Sequence, residues 1–381
     1  MSSFRKRAVI PFVDLKTQYA RLAPKIDARI ARVLQHGQYI LGPEVAELEA
    51  ELARFCGARH AVTLASGTEA LRVPMMAEGI GPGDAVFMPA FTFTATAEVP
   101  VAQGADPVFV DVDAGSFLMS AADLERQIAR VRAEGKLRPR AVVAVDLFGL
   151  PADYSELSAI CTREGLFLLS DAAQSFGGTR ANRCVGTMAP VTATSFFPAK
   201  PLGGYGDGGA VFLEDGKLAD VYRSIRMHGA GEDRYDIVRL GTNARLDTLQ
   251  AAILLAKLEI FPEELERREA VARRYDEQLS GVVATPERVA GARSAWAQYT
   301  IKVDRRAAVA NRLKADGIPT AIHYPKPLHL QPAYSRYGRG PGSLPVSEDL
   351  SSRVLSLPMH PYLEEPTVDR IAAAVRRAVE S

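Results

Sequence analysis

Short apolar runs alternate with amphipathic helical segments between residues 61 and 213. Polar residues hardly interrupt the runs, as is typical of strands buried on both faces of a parallel sheet. We predict seven strands, Ala61–Leu64, Ala85–Met88, Pro107–Asp111, Ala141–Leu147, Leu166–Asp171, Thr192–Phe197 and Gly209–Leu213. Helical segments such as Ala121–Val131 and Tyr154–Glu164 lie between several of them. This alternation predicts an α/β fold with a seven-stranded, mostly parallel sheet covered by helices.

Helical periodicity flanks the predicted sheet on both sides. Before it, Pro24–Gln35 carries apolar residues on one face, and Pro43 fits the first position of a helix that ends at Gly57. After it, Asp247–Phe261 is apolar on most sides and predicts a buried helix. Pro262 then opens a charged helix with pairs of opposite charge four residues apart.

Shorter elements follow in the last third of the chain. The predicted strands and helices are Ala297–Val303, Pro319–His323, Ala307–Asp316 and Thr367–Val379. We therefore predict two domains, a large one over residues 1–261 that includes the N-terminal helices, and a smaller α+β domain over residues 262–381.

Charge balance argues against a nucleic-acid or membrane partner. The 381 residues include 46 Lys and Arg against 45 Asp and Glu, a net charge of +1, which gives no long-range field towards polyanions. The densest basic stretch, Arg126–Arg140, lacks interleaved aromatic residues and fits a solvated helix end.

The spacing of cysteines and histidines bears on metal binding and on the cellular compartment. Cys56, Cys161 and Cys184 have no CxxC spacing, which fits a reducing compartment. The six histidines show no HExxH or similar spacing, so we expect no metal site. No signal-peptide pattern and no apolar run near the ~20 residues of a membrane span are visible. We expect a cytoplasmic protein.

One lysine falls within a glycine-rich segment, SFFPAKPLGGYGDGG, residues 195–209. Lys200 follows an apolar run and precedes five glycines. A lysine in a water-poor loop loses its proton more readily, and only the neutral amine attacks an aldehyde. Glycines also let backbone approach a ring and a phosphate closely. The segment therefore predicts a lysine that holds a carbonyl cofactor as a Schiff base, the alternative being a surface loop with an incidental lysine.

Ligands of parallel sheets bind at the carboxyl ends of the strands, and the first strand ends in Ser66-Gly67-Thr68-Glu69. Ser66 and Glu69 have the spacing of a helix capping box. The amides of Gly67 and Thr68, at the positive end of the helix dipole, would also suit a phosphate. Both interpretations stay open from the residues alone.

Further polar and aromatic residues follow later strands. Phe91 and Phe93 follow the second strand, and one of them could lie flat on a cofactor ring, although both could equally be core. Asp171 ends the fifth strand, where a carboxylate needs a cation such as a pyridinium N–H, unless it is exposed and caps a turn. Gln174 could hydrogen-bond a ring hydroxyl and Ser195 a phosphate. With Lys200, this set fits pyridoxal 5'-phosphate.

At this point the sequence resembles a known family, the DegT/DnrJ/EryC1/StrS sugar aminotransferases, from PFVDLKTQY near the start to VLSLPMHPYL near the end. The most specific segments are GQYILGPEV, LASGTEAL, PAFTFTATAE, DAAQSFG, SFFPAKPLGGYGDGGA, NARLDTLQAAIL and AIHYPKPL. The resemblance implies the aspartate aminotransferase-like fold of PLP-dependent transferases of type I. Within the family, SFFPAKPLG and RLDTLQAAILLAKLEIF are most similar to enzymes that aminate C3 of a UDP-linked 3-keto-glucuronic acid sugar. Those enzymes act on the route to diacetamido-uronic acids of lipopolysaccharide.

The resemblance also implies roles for particular residues. Lys200 would be the Schiff-base lysine, and Asp171 would partner the pyridine nitrogen. The other implied cofactor contacts are Gly67, Thr68 and Ser195 at the phosphate, Phe93 against the ring, Gln174 at the ring hydroxyl and Asn243 at the phosphate of the other subunit. The implied sugar contacts, again from the partner chain, are Arg245, His323 and Tyr324. The active unit would thus be a homodimer with a shared active site, and Arg245 could pair with a uronate carboxylate.

Two departures from the family pattern concern local geometry. Pro74 should kink its helix, because it removes an interior N–H. The basic segment Arg130–Pro139 is an insertion. Neither touches the residues implied in the chemistry.

The sequence predicts amino transfer from L-glutamate to the keto sugar, and it leaves alternatives. A dehydratase of the family would carry histidine in place of Lys200. Amination at C4, or of a dTDP- or GDP-linked sugar, remains open. From another class, the chain could be a binding or regulatory protein that keeps the fold. A nicotinamide dehydrogenase is disfavoured, since no GxGxxG follows the first strand.

Overall fold

The computed structural model describes residues 10–380, so the start of the chain, residues 1–9, and residue 381 lie outside the described part. Its strands are β1 His60–Leu64, β2 Asp84–Pro89, β3 Asp106–Val110, β4 Arg138–Val145, β5 Phe167–Asp171, β6 Thr179–Arg180, β7 Arg183–Cys184, β8 Val191–Ser195, β9 Gly209–Leu213, β10 Ala292–Arg293, β11 Tyr299–Lys302 and β12 Val354–Leu357. Its α-helices are α1 Leu15–His36, α2 Pro43–Cys56, α3 Gly67–Ala77, α4 Ala95–Ala102, α5 Ala121–Glu134, α6 Tyr154–Glu164, α7 Gly216–Arg226, α8 Thr248–Leu258, α9 Phe261–Leu279, α10 Arg306–Ala315, α11 Pro345–Arg353 and α12 Glu365–Glu380.

A seven-stranded sheet forms the centre of the fold, in the order β1-β9-β8-β5-β4-β2-β3. Strand β9 is antiparallel to both of its neighbours, and the other adjacent pairs are parallel. All seven strands predicted from the apolar runs are present, with ends that differ by up to three residues. The mostly parallel α/β sheet is therefore confirmed.

Alternate residues of the strands enter two different cores. In β2, Val86 and Met88 pack with the residues under α3 and α4, whereas Ala85 and Phe87 pack with those under α5 and α6. Side chains of a strand point to opposite faces with a period of two. Since both faces are covered, both sets of side chains are apolar, which explains the uninterrupted runs in the sequence.

The helices differ from their predictions in extent. Helix α1 starts nine residues before Pro24 and continues through it, while α3 continues through Pro74 without a break. Helix α2 begins at Pro43, and Gly57 after it adopts a left-handed conformation, as predicted. The basic insertion forms the end of α5 and the start of β4 rather than an added loop.

A second core forms mainly from residues 271–378, around the antiparallel pair β11–β12. Ile10 also packs in this core. The strand predicted over Pro319–His323 is reduced to one bridge, between Ala321 and Ser356, and β12 supplies the partner strand instead. The division of the chain at residue 261 stays a prediction.

No helix within residues 10–380 has the length and apolar character required to cross a membrane.

Candidate active site

A cavity of about 510 Å³ lies at the carboxyl ends of the parallel strands, where ligands of such sheets bind. It brings together nine of the eleven residues singled out in the sequence. They are Gly67, Thr68, Phe93, Asp171, Gln174, Ser195, Lys200, His323 and Tyr324.

The start of α3 forms one end of the cavity. Ser66 caps the helix, because its Oγ accepts a hydrogen bond of 3.1 Å from the Glu69 amide. The amides of Gly67 and Thr68 precede the first intrahelical bond and are free for an anion. A Cβ on Gly67 would lie 2.6 Å from Ser195 Cβ, so the helix start and the end of β8 are in close contact. The capping and phosphate-seat interpretations are therefore compatible, and the seat fits a phosphate.

Asp171 ends β5 and is 6% exposed. Its carboxylate accepts hydrogen bonds from Thr96 Oγ1 (2.8 Å) and from the Ala173 amide (3.3 Å). Burial raises the pKa of Asp171, against the opposing effects of the Thr96 hydrogen bond and of Lys200. A buried carboxylate of this kind gains from a cationic N–H donor, and a pyridinium nitrogen supplies one.

Lys200 lies in the turn after β8, where its amide donates a 2.9 Å hydrogen bond to the Phe197 carbonyl. Burial lowers the pKa of the Lys200 ammonium, and the charge of Asp171 opposes the shift. The neutral amine that condenses with an aldehyde is thus favoured relative to a surface lysine.

The two phenylalanines after β2 have different environments. Phe91 is fully buried and packs with Phe117 and Phe148, whereas Phe93 is 54% exposed and lines the cavity. The Phe93 ring lies 6.1 Å from that of Tyr324. Phe93 is therefore the aromatic residue available to a planar ligand.

Gln174 is fixed by its neighbours within the cavity wall. Its Oε1 accepts a 2.8 Å hydrogen bond from the Phe148 amide, and its Nε2 donates to Tyr324 Oη at 3.3 Å. Phe148 holds a left-handed conformation, with φ of 59°, that aims this amide. The Gln174 amide is thus held at the same cavity as Asp171 and Lys200.

His323 and Tyr324 reach this cavity from the same chain as Lys200. The expectation that the partner chain supplies these two residues is therefore wrong. The segment after α10 returns along the carboxyl edge of the sheet, where His323 Nδ1 bonds Ser356 Oγ at 3.0 Å. Burial and the charge of Lys200 lower the pKa of His323, so the neutral imidazole is favoured.

Asn243 and Arg245 line a different pocket, of about 430 Å³. Asp207, in the glycine-rich loop after Lys200, borders both this pocket and the cavity. Within one chain these two residues are not brought into the cavity. That these two residues contact the cofactor and substrate of a partner subunit remains a prediction.

Sequence analysis missed Thr96, Asp207 and Gln298, which contact or line the site. Thr96 lies in the segment TFTATAE that follows β2, so its position near a strand end could have been predicted from the sequence. Gln298 precedes β11, and nothing in the local sequence pattern marks it.

Three features define the class of protein: the sheet order, the half-buried Lys200 and buried Asp171 at the carboxyl edge of the sheet, and the helix start that suits a phosphate. The fold and site are those of a pyridoxal-phosphate-dependent aminotransferase of fold type I. Comparison with known proteins agrees, since the sequence model of the DegT/DnrJ/EryC1/StrS aminotransferase family matches residues 21–376. The chain belongs to this family.

Individual relatives match over nearly their whole length. The chain is 48% identical, over 96% of its length and 99% of the relative's, to UDP-2-acetamido-2-deoxy-3-oxo-D-glucuronate aminotransferase of Pseudomonas aeruginosa. It is similar to the crystal structure of a DegT DnrJ EryC1 StrS aminotransferase from Brucella abortus, with TM-score 0.96, 54% identity, and coverage of 98% and 100%. It is also similar to the structure of S. venezuelae DesV in complex with a ketimine intermediate, with TM-score 0.93, 39% identity, and coverage of 98% and 99%.

Proposed function

We propose that the protein moves the amino group of L-glutamate to the 3-keto carbon of a UDP-linked keto-uronic acid sugar, in the biosynthesis of a lipopolysaccharide or O-antigen sugar. The observation that carries this proposal is the convergence of Lys200, Asp171 and the start of α3 on one cavity. The substrate follows from the similarity to the Pseudomonas enzyme. The unpaired cysteines of the sequence favour a cytoplasmic location.

Each residue of the cavity has a defined task in this reaction. Pyridoxal phosphate, when bound, supplies a carbonyl for amine capture and a ring that accepts the electron pair left by proton removal. Gly67 and Thr68 donate their amides to the phosphate. Asp171 keeps the proton on the pyridine nitrogen, because its buried carboxylate stabilises a cationic N–H donor by its charge and by a hydrogen bond. Lys200 holds the cofactor and, once released, moves the proton at the amino-bearing carbon.

A uronate carboxylate needs a cationic partner near the cavity mouth. Arg245 offers a guanidinium, and its Nε is buried without a hydrogen-bond partner among residues 10–380. Guanidinium and carboxylate pair in bidentate fashion. We therefore propose Arg245 of the partner chain as the residue that selects the uronic acid, with His323 and Tyr324 contributed by the chain that carries Lys200.

The active unit in this proposal is a homodimer. Large apolar side chains are exposed around the loop that precedes Asn243, with Tyr235 80% and Leu240 88% exposed. Phe197, beside Lys200, is 50% exposed as well. An exposed apolar surface of this kind is typical of an interface. A second copy would cover it and would bring Asn243 and Arg245 to the other cavity.

Replacement of Lys200 tests the chemistry directly. Lys200→Ala should remain folded and lose turnover by a factor of about 10⁴ or more, because it removes both the covalent tether and the proton carrier. The assay follows glutamate-dependent amination of the UDP-linked keto-uronic acid, with NMR assignment of the aminated carbon. Lys217→Ala, at an exposed lysine on α7, serves as the matched control and should keep wild-type turnover.

The same assay separates the alternatives. Amination at C4, or preference for a dTDP- or GDP-linked sugar, would replace the proposed substrate while retaining the role of Lys200. Absence of amino transfer to any keto sugar would favour a binding or regulatory protein. Turnover of Lys200→Ala at the wild-type rate would remove Lys200 from the mechanism.

A further inference from the structure

Another lysine, Lys257, is buried against the loop that carries Lys200. Lys257, on α8, is only 1% exposed. No carboxylate within residues 10–380 lies within 4.0 Å of its Nζ, although Glu264 is close enough to interact through its charge. Burial lowers the pKa of Lys257 to about 8, which reflects the cost of removing an ammonium from water. An apolar side chain at this position would avoid that cost. We therefore expect contacts of the amine that offset it.

The amine of Lys257 contacts the glycine-rich loop at two points. Its Nζ donates a 2.7 Å hydrogen bond to the carbonyl of Gly203, three residues after Lys200. The same atom lies 4.1 Å from the centre of the Tyr205 ring, within the range of a cation–π contact. Both contacts go to the loop, and both depend on the donor or the charge rather than on the bulk of the side chain.

The loop that Lys257 holds has little freedom to relax. A Cβ on Gly203 would lie 2.5 Å from the Pro198 carbonyl oxygen and 2.7 Å from that of Phe197. The Gly204 amide donates a 2.8 Å hydrogen bond to the Phe196 carbonyl. Gly203 is thus folded back directly over the turn that contains Lys200, and a shift of its carbonyl moves that turn.

Helix α8 supports the same loop at a second position. Gln250 Oε1 accepts a 2.8 Å hydrogen bond from the Tyr205 amide. Tyr205 packs against a cluster of apolar residues from α1 and α8, which includes Ile26 and Ile253. Lys257 thus adds a third contact between α8 and this loop, at the carbonyl of Gly203.

We propose that Lys257 is a positioning residue that fixes the loop 200–205 through the Gly203 carbonyl, and thereby sets the position of the Lys200 amine relative to the cofactor. The inference rests on the function proposed above. Lys257 does not touch substrate or cofactor in this proposal, since its contacts are with the loop backbone and Tyr205. Replacement of Lys257 should therefore leave the enzyme able to react, but the cofactor should be bound less tightly.

The test compares cofactor retention in purified holoenzymes. In Lys257→Met, a side chain of similar length fills the space without a donor, and the cofactor should dissociate about tenfold faster during dialysis, because a charge-assisted hydrogen bond is lost. The pH midpoint of the cofactor's visible absorption change should also shift, since a displaced Lys200 changes its distance from the charge of Asp171. Lys257→Gln, too short to reach Gly203 but neutral and polar, should show the same changes if the methionine variant does not fold.

Two controls separate positioning from general stability. Lys217→Met removes an exposed lysine from α7 and should match the wild type in both readouts. Ile128→Ala weakens the core under α5, which is a different cluster from those that contain Leu202 and Tyr205 of the loop, and should lower the melting temperature without accelerating cofactor loss. Wild-type retention and an unchanged midpoint in the Lys257 variants would overturn the inference, as would equal acceleration in Ile128→Ala. A wild-type protein that takes up no pyridoxal phosphate would instead overturn the proposed function itself.

Discussion

At the residue scale, the cavity keeps two ionisable groups away from their ordinary pKa values. Burial raises the pKa of Asp171 and lowers that of Lys200, so both neutral forms gain in the cofactor-free protein. Their place at strand ends could be predicted from the sequence, because an apolar run ends next to each of them. The Thr96 hydrogen bond could not, because it joins α4 to a strand 75 positions further along the chain.

Asp171→Asn should raise the stability of the cofactor-free protein at neutral pH and lower turnover by a factor of about 100 or more. The folded protein holds the Asp171 proton above the pH at which the unfolded chain releases it, so wild-type stability falls as the pH rises through that window. Asparagine removes this loss. Thermal unfolding of both cofactor-free proteins between about pH 4 and pH 8 measures the effect, with assays of turnover in parallel. A melting difference that does not change with pH would contradict the expectation.

At the element scale, the strands of the sheet were more predictable than the helices around them. Apolar runs mark strands that are buried on both faces, whatever lies next to them. Helix α1 was predicted from the apolar face of Pro24–Gln35, yet it begins at Leu15, and Leu22 packs with Ile26 against α8. Strand β12 is short, and its pairing with β11 is a tertiary contact that no local pattern shows.

The contact between α3 and β8 gives a prediction at this scale. Gly67→Ala should weaken cofactor affinity about tenfold, because its Cβ would approach Ser195 Cβ to 2.6 Å and displace the helix start. The dissociation constant of pyridoxal phosphate, from absorbance titration of the cofactor-free protein, checks this. Gly81→Ala is the matched control, since its Cβ would meet its nearest neighbour at 3.6 Å. Equal affinities in the two variants would show that the helix start does not form the phosphate seat.

At the scale of the whole molecule, two pockets of one chain divide the predicted site residues between them. The cavity with Lys200 lacks Asn243 and Arg245, which line the neighbouring pocket. The sequence alone could not show which residues line which pocket. The position of His323 and Tyr324 beside Lys200 depends on how the second core packs. The resemblance to the family implied that the partner chain supplies Arg245, His323 and Tyr324. In the tertiary structure, His323 and Tyr324 line the cavity of the chain that carries Lys200.

Hybrid dimers test the proposal that Lys200 of one chain and Asn243 of its partner belong to one active site. Lys200→Ala and Asn243→Ala should each be inactive alone, and a one-to-one mixture after subunit exchange should regain about a quarter of wild-type turnover, because half of the dimers carry one intact site. Turnover before and after exchange gives the measurement. A mixture of Lys200→Ala with Lys200→Met should regain nothing. Absence of recovery in the first mixture, despite exchange shown by mass spectrometry, would rule out a shared site.

Helix α1 packs against helices that are synthesised more than 200 residues after it. Helix α1 packs against α8, and Gln18 donates to the Glu264 carboxylate at 3.0 Å. Likewise, β1 pairs with β9, nearly 150 positions later. On the ribosome, α1 and β1 therefore emerge long before their partners exist, and contacts so distant in sequence form slowly. The contact between Gln18 and Glu264 can form only after translation has passed residue 264, so the packing of α1 is completed late in synthesis.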